Sequence, residues 1–105
     1  HEKPATSGIF AVRTHGLSDQ PLEGVASLGV RPTVEDAGRV LLEVHCFEWP
    51  AALGKEGGYG KIVRVELLHK LRDEARYDGL EALQAAIHQD IADARGFFEA
   101  QRRGT

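Results

Sequence analysis

The sequence predicts an all-β domain of four antiparallel strands followed by one docked C-terminal helix. Three observations carry this reading. β-forming residues punctuated by glycine and proline fill the first two-thirds of the chain. Leu80, Leu83, Ile87, Ile91, Ala94 and Phe98 then recur at steps of three and four, which is one stripe of a helix. No repeat or linker-like tract divides the chain, and 105 residues with 42% hydrophobic and 28% charged content make one ordinary globular domain.

The elements follow in order. Residues 8–15, Gly-Ile-Phe-Ala-Val-Arg-Thr-His, form the first strand, and residues 16–21 turn the chain. The second strand, residues 22–30, carries Gly24 and Gly29, which predict a close backbone approach or a bend. Arg31-Pro32-Thr33 interrupts it, and residues 35–38 turn again. Residues 39–48 are the strongest strand. Val40, Leu42, Val44 and Cys46 share one face, and Leu41, Glu43, His45 and Phe47 share the other. Pro50 to Gly60 contains four glycines and reads as a flexible connection. Residues 61–69 form the fourth strand, with Val63, Val65 and Leu67 inward and Arg64 and Glu66 outward. Asp78 and Glu81 make a capping-box-like start to the helix, and Arg102, Arg103 and Gly104 suit its end.

A net charge of −3 argues against a nucleic-acid binder that relies on bulk positive charge. The lone Cys46 cannot form an internal disulfide, so a cytoplasmic setting is expected. Apolar runs are far shorter than the ~20 residues that cross a bilayer as a helix, so no membrane partner is expected. Methionine is absent even at position 1, which predicts a chain processed, trimmed or cut from something longer.

Several constellations invite chemistry. Gly57-Gly58-Tyr59-Gly60-Lys61 suggests a phosphate loop, but position 55 is Lys and Ile62 stands where Ser or Thr is needed. A flexible loop is the better reading. His45 and Cys46 point to opposite faces of a strand, and His15 and His69 lack paired-ligand spacing, so no metal site is expected. Glu43 is either a solvated glutamate on an exposed sheet face or a carboxylate fixed on a rigid strand to accept a proton. The run Lys70 to Asp78 is either a solvated connection or a functional loop. In it Arg72 and Asp73 stand just past the last strand, outside regular structure, and Arg72 and Arg76 could donate to a phosphate or a ring carbonyl.

Four segments in unbroken order carry a resemblance. They are Gly24-Val-Ala-Ser-Leu-Gly-Val-Arg-Pro-Thr33, Leu42-Glu-Val-His45, Tyr59-Gly60-Lys61, and Leu68-His-Lys-Leu-Arg-Asp-Glu-Ala-Arg-Tyr-Asp-Gly-Leu80. Together with the C-terminal helix, residues 7–98 resemble the riboflavin kinase domain found as the C-terminal half of bacterial bifunctional riboflavin kinase/FMN adenylyltransferases. The resemblance implies a Greek-key antiparallel β-barrel, nominally six-stranded, of which four strands are expected here. It implies transfer of the γ-phosphate of ATP to the 5′-hydroxyl of riboflavin, giving FMN, with Mg-ATP as co-substrate and an adenylyltransferase domain in the parent chain.

By the same resemblance Glu43 is the catalytic base, and Arg72, Asp73 and Arg76 stand on the flavin side. Gly29, Arg31, Thr33, Tyr59 and Gly60 stand near the nucleotide. The family's Gly-Phe-Pro-Thr-Ala-Asn motif, whose Thr and Asn hold Mg²⁺-ATP, is missing, and the sequence has no asparagine. No metal ligand therefore carries over, and the chain by itself is expected to be inactive. Open barrel edges are expected to favour self-association. The alternatives are an inactive fragment that only binds flavin and a small β-barrel interaction module.

Overall fold

The computed structural model describes residues 7–31, 39–54 and 57–104. Four strands, β1 (Gly8–His15), β2 (Leu22–Arg31), β3 (Arg39–Cys46) and β4 (Arg64–Arg72), precede one helix, α1 (Leu80–Gly104). All pairings are antiparallel, and the sheet order is β3-β2-β1-β4. Three strands joined in succession, with the fourth returning beside the first, make the Greek key that was expected. Among the described residues the sheet stays open, with β3 and β4 as its edges.

Helix and sheet meet on one face. Ile9, Ala11 and Val25 pack against Ala94 and Phe98, and Phe47, Leu68, Leu71, Ile91 and Phe97 surround them. The opposite face holds Phe10, Val12 and Ala26, with Leu28 and Val65 beside them. The register pairs Val25 with His45 and Ser27 with Glu43, so Glu43 and His45 stand on the helix side of the sheet. Val40, Leu42 and Val44 stand on the other side and are exposed.

The two glycines of β2 are both places of close approach. A Cβ on Gly24 would overlap the carbonyl oxygen of His45 on the paired strand. Backbone cannot swing aside as a side chain can, so Gly24→Ala is expected to cost roughly 1–3 kcal/mol. Urea unfolding checks this, and an unchanged midpoint would contradict it. A Cβ on Gly29 would meet the Glu74 carboxylate, the mobile end of a side chain, so Gly29→Ala is expected to be far cheaper.

Three sequence expectations shift. The fourth strand begins at Arg64 and runs to Arg72, not over residues 61–69. Irregularities opposite Ile9/Phe10 and Ala11/Val12 break its period of two. Leu68 and Leu71 thereby reach the helix-side core, whereas Val63 lies outside the strand and is exposed. The helix starts one residue later than the Asp78 cap predicts. The Leu83 N–H donates to the Gly79 carbonyl at 3.1 Å, which makes Gly79 the cap residue. The expected apolar stripe is buried only in its C-terminal half, where Ala94 and Phe98 enter the core, and Leu80, Leu83 and Ile87 are exposed. No helix among the described residues is long and apolar enough to cross a membrane.

Candidate functional site

The uncovered N-terminal half of the α1 stripe forms one wall of a cleft. Strands β2 and β3 make its floor, and the segment after β4 makes its outer wall. Its volume is about 540 Å³, and Glu43, Val44, His45, Arg72, Tyr77 and Ile87 are among the lining residues. Clefts that take small ligands commonly fall between about 300 and 1,000 Å³. Ala75, Tyr77, Leu83 and Ile87 supply apolar and aromatic surface, and Glu43, Arg72, Glu74 and Asp90 supply charge. Such a cleft suits a ligand with a flat apolar body and a polar arm.

Glu43 is set by the regularity of β3. The residue pairs with Ser27 in mid-strand, so its Cα cannot wander, and it is exposed on the cleft side. A carboxylate on a rigid strand, open to a cleft, can take a proton from a bound hydroxyl.

Arg72 is the last residue of β4, and thus in regular structure rather than in the loop. Its Nε donates to Asp90 Oδ1 at 2.7 Å and its Nη2 to Asp90 Oδ2 at 2.8 Å. Nη1 donates to the backbone carbonyl of Asp73 at 2.9 Å. The guanidinium carbon lies 5.8 Å from the centre of the Tyr77 ring. Hydrogen bonding to Asp90 is the main reason that the Arg72 pKa is raised, and it outweighs the opposing effect of burial.

The remaining residues singled out from sequence do not all gather here. The Asp73 carboxylate accepts from Lys70 Nζ at 2.6 Å and does not line the cleft. Arg76 is exposed and also stands outside it. Gly29 lies in β2 beneath the Glu74 carboxylate, at the rim of the cleft. Arg31 ends β2 opposite Arg39. Tyr59 is 82% exposed, in a turn at the other end of the sheet. There Gly58 lies beside Trp49 and Leu17, and Gly60 adopts a φ of +74°. Tyr59 and Gly60 therefore do not join Gly29 and Arg31 in one site. Thr33 lies outside the described residues.

Sequence reasoning placed Leu83 and Ile87 on the apolar stripe of the helix and gave Asp90, which is 6% exposed, no role in a site. The signal for Asp90 was present: it falls three residues after Ile87 and four before Ala94, so a carboxylate interrupts an otherwise apolar stripe.

Comparisons with known proteins bear on the family and the fold. The family pattern described as flavokinase (riboflavin kinase) matches residues 1–98. A bifunctional riboflavin kinase/FMN adenylyltransferase from Escherichia coli is 42% identical over 91 residues, covering 87% of this chain and 27% of that protein. The protein of the same name from Haemophilus influenzae is 34% identical over 93 residues, covering 89% and 28%. The chain thus spans little more than a quarter of the length of these curated relatives. A solved structure titled as a macrolide-efflux protein from Streptococcus pneumoniae superposes with a TM-score of 0.67 at 24% identity, over 81% of this chain and 26% of that one, and shows the fold alone. On the match of nearly its whole length, this chain belongs to the flavokinase, or riboflavin kinase, family.

Proposed function

We propose that residues 1–105 belong to the riboflavin kinase domain of a longer protein, and that this domain transfers the γ-phosphate of ATP to the 5′-hydroxyl of riboflavin. The observation that supports this most is the cleft that holds Glu43 among apolar and aromatic walls. The isoalloxazine ring suits the surface of Tyr77, Leu83 and Ile87, and the ribityl arm then runs toward Glu43. Glu43 accepts the hydroxyl proton as the hydroxyl oxygen bonds to the γ-phosphorus. The bond from that phosphorus to the β–γ bridging oxygen breaks, and ADP leaves with the electron pair. Such a transfer needs chiefly positioning and charge stabilisation, which a rigid strand and a walled cleft help to supply.

Gly29 and Arg31, at the rim of the cleft and the end of the same strand, are the proposed nucleotide-side residues. Among the described residues no three His, Cys, Asp or Glu side chains gather to hold a metal ion. The described residues supply no such cluster, and no step is routed through a cation.

The relatives' names pair the kinase with an adenylyltransferase, and we propose the same pairing for the parent of this chain, in the cytoplasm. The outer edge of β3, with Val40, Leu42 and Val44 exposed beside it, is a proposed contact with a second copy. Light scattering that shows only monomer would remove that contact.

Titrating FMN into the chain in a calorimeter tests the flavin reading: saturable binding is expected, and no heat change together with unquenched flavin fluorescence would overturn it. Arg72→Ala is expected to weaken flavin binding by about 1–3 kcal/mol, through lost charge-assisted hydrogen bonding. Unchanged fluorescence titrations would return Arg72 to a purely structural role.

A further inference from the structure

We infer that Asp90 is a positioning residue for the flavin cleft, acting through Arg72 on the segment that forms the outer wall. This inference rests on the flavin reading of that cleft. Residues 73–77 join β4 to the turn before α1 without regular secondary structure, and they contribute Glu74, Ala75 and Tyr77 to the wall. One tie between this segment and the rigid body, beside the Lys70–Asp73 ion pair, is the Arg72 guanidinium. One edge is gripped by both oxygens of Asp90, and the remaining nitrogen holds the Asp73 carbonyl. The same group lies beside the ring of Tyr77.

Asp90 sits nearly buried on the helix, one turn past Ile87, so its carboxylate is held in place by the packing of α1 on the sheet. A fork of this kind has one geometry, because the planar guanidinium and the carboxylate meet through two parallel bonds. Buried ion pairs often add little to stability over an apolar pair of similar size. A pair whose third bond runs to the backbone of a cleft wall is better accounted for by placement. Arg72 and Asp90 both line the cleft themselves, so a change in their geometry reaches the ligand within one residue.

Asp90→Asn tests the inference. An amide turns one acceptor of the fork into a donor facing an N–H, so the fork cannot form as it stands. In the full-length protein, Asp90→Asn is expected to raise the KM for riboflavin about tenfold with kcat within about twofold. Arg72→Lys keeps the charge but cannot form the fork, and it is expected to show the same split. Arg72→Ala combined with Asp90→Asn is expected to bind riboflavin no more weakly than Arg72→Ala alone, because Asp90 acts through Arg72.

A lower melting temperature with KM unchanged in Asp90→Asn would overturn the inference and leave the pair structural. Should that variant fail to fold, Arg72→Lys decides: wild-type KM there overturns it equally. Losses that add in the double variant would show that Asp90 does not work through Arg72, and would overturn it too. Wild-type protein that leaves riboflavin fluorescence unquenched refutes the flavin reading and this inference together. Wild-type protein that binds, with variants that match it, refutes this inference alone.

Discussion

Glu43→Gln is expected to lower riboflavin phosphorylation by the full-length protein about 10²-fold or more, with flavin affinity little changed. The substitution keeps the shape of the side chain and its place opposite Ser27 in the β2–β3 ladder, so the cleft should persist. What disappears is the group that takes the hydroxyl proton. A positioned general base commonly contributes 10²–10⁴-fold, whereas the loss of one wall contact would show mainly in binding. Steady-state kinetics together with flavin titration separates the two. Turnover at the wild-type rate would exclude Glu43 as the base, and intact turnover with a raised KM would make it a binding residue.

Phe98→Ala is expected to cost about 3–5 kcal/mol, as truncation of a fully packed aromatic does. Phe98 is 1% exposed and lies at the centre of the interface between helix and sheet. Its ring meets Phe47 at 6.3 Å and Phe97 at 5.3 Å, edge-on in both cases, and Arg13 lies over it at 5.4 Å. Domains of this size are stable by about 5–15 kcal/mol, so the loss would consume much of the margin. Urea or thermal unfolding checks it, with Phe98→Leu expected to retain most of the stability. A loss under about 1 kcal/mol would mean that the helix is not held by this residue. Because α1 also supplies the Leu83, Ile87 and Asp90 wall, the variant should lose flavin binding as its helix loosens.

The strands were legible because their signal is local. Alternation along residues 39–48 assigned Val40, Leu42 and Val44 to one face and Glu43 and His45 to the other, and the β2–β3 register agrees. Gly24 announced a close approach, and the His45 backbone fills the space where its side chain would be. Glu43 was legible as a candidate, but pattern alone left it balanced between a solvated face and a site; the cleft bears on that choice.

Other features depend on what meets in space. The end of β4 was misjudged because its two irregularities are set by pairing with β1, which a period-of-two reading of one segment cannot register. The α1 stripe was correct as a helix and incomplete as a core. A stripe states which residues face the same way, but the sheet reaches its C-terminal members Ile91, Ala94 and Phe98, and leaves Leu83 and Ile87 to line a cleft.

By itself, then, the sequence determined the order and kind of the elements, the two faces of β3, and, through its motifs, the family. Those properties reside in spacing and residue type along the chain. Only the tertiary structure decided that Arg72 is bound to Asp90, eighteen positions away, and that Tyr59 and Gly60 stand at the other end of the sheet from Gly29. Partners so far apart in sequence are chosen by how the helix docks on the sheet, and packing between elements leaves no periodic trace in either one.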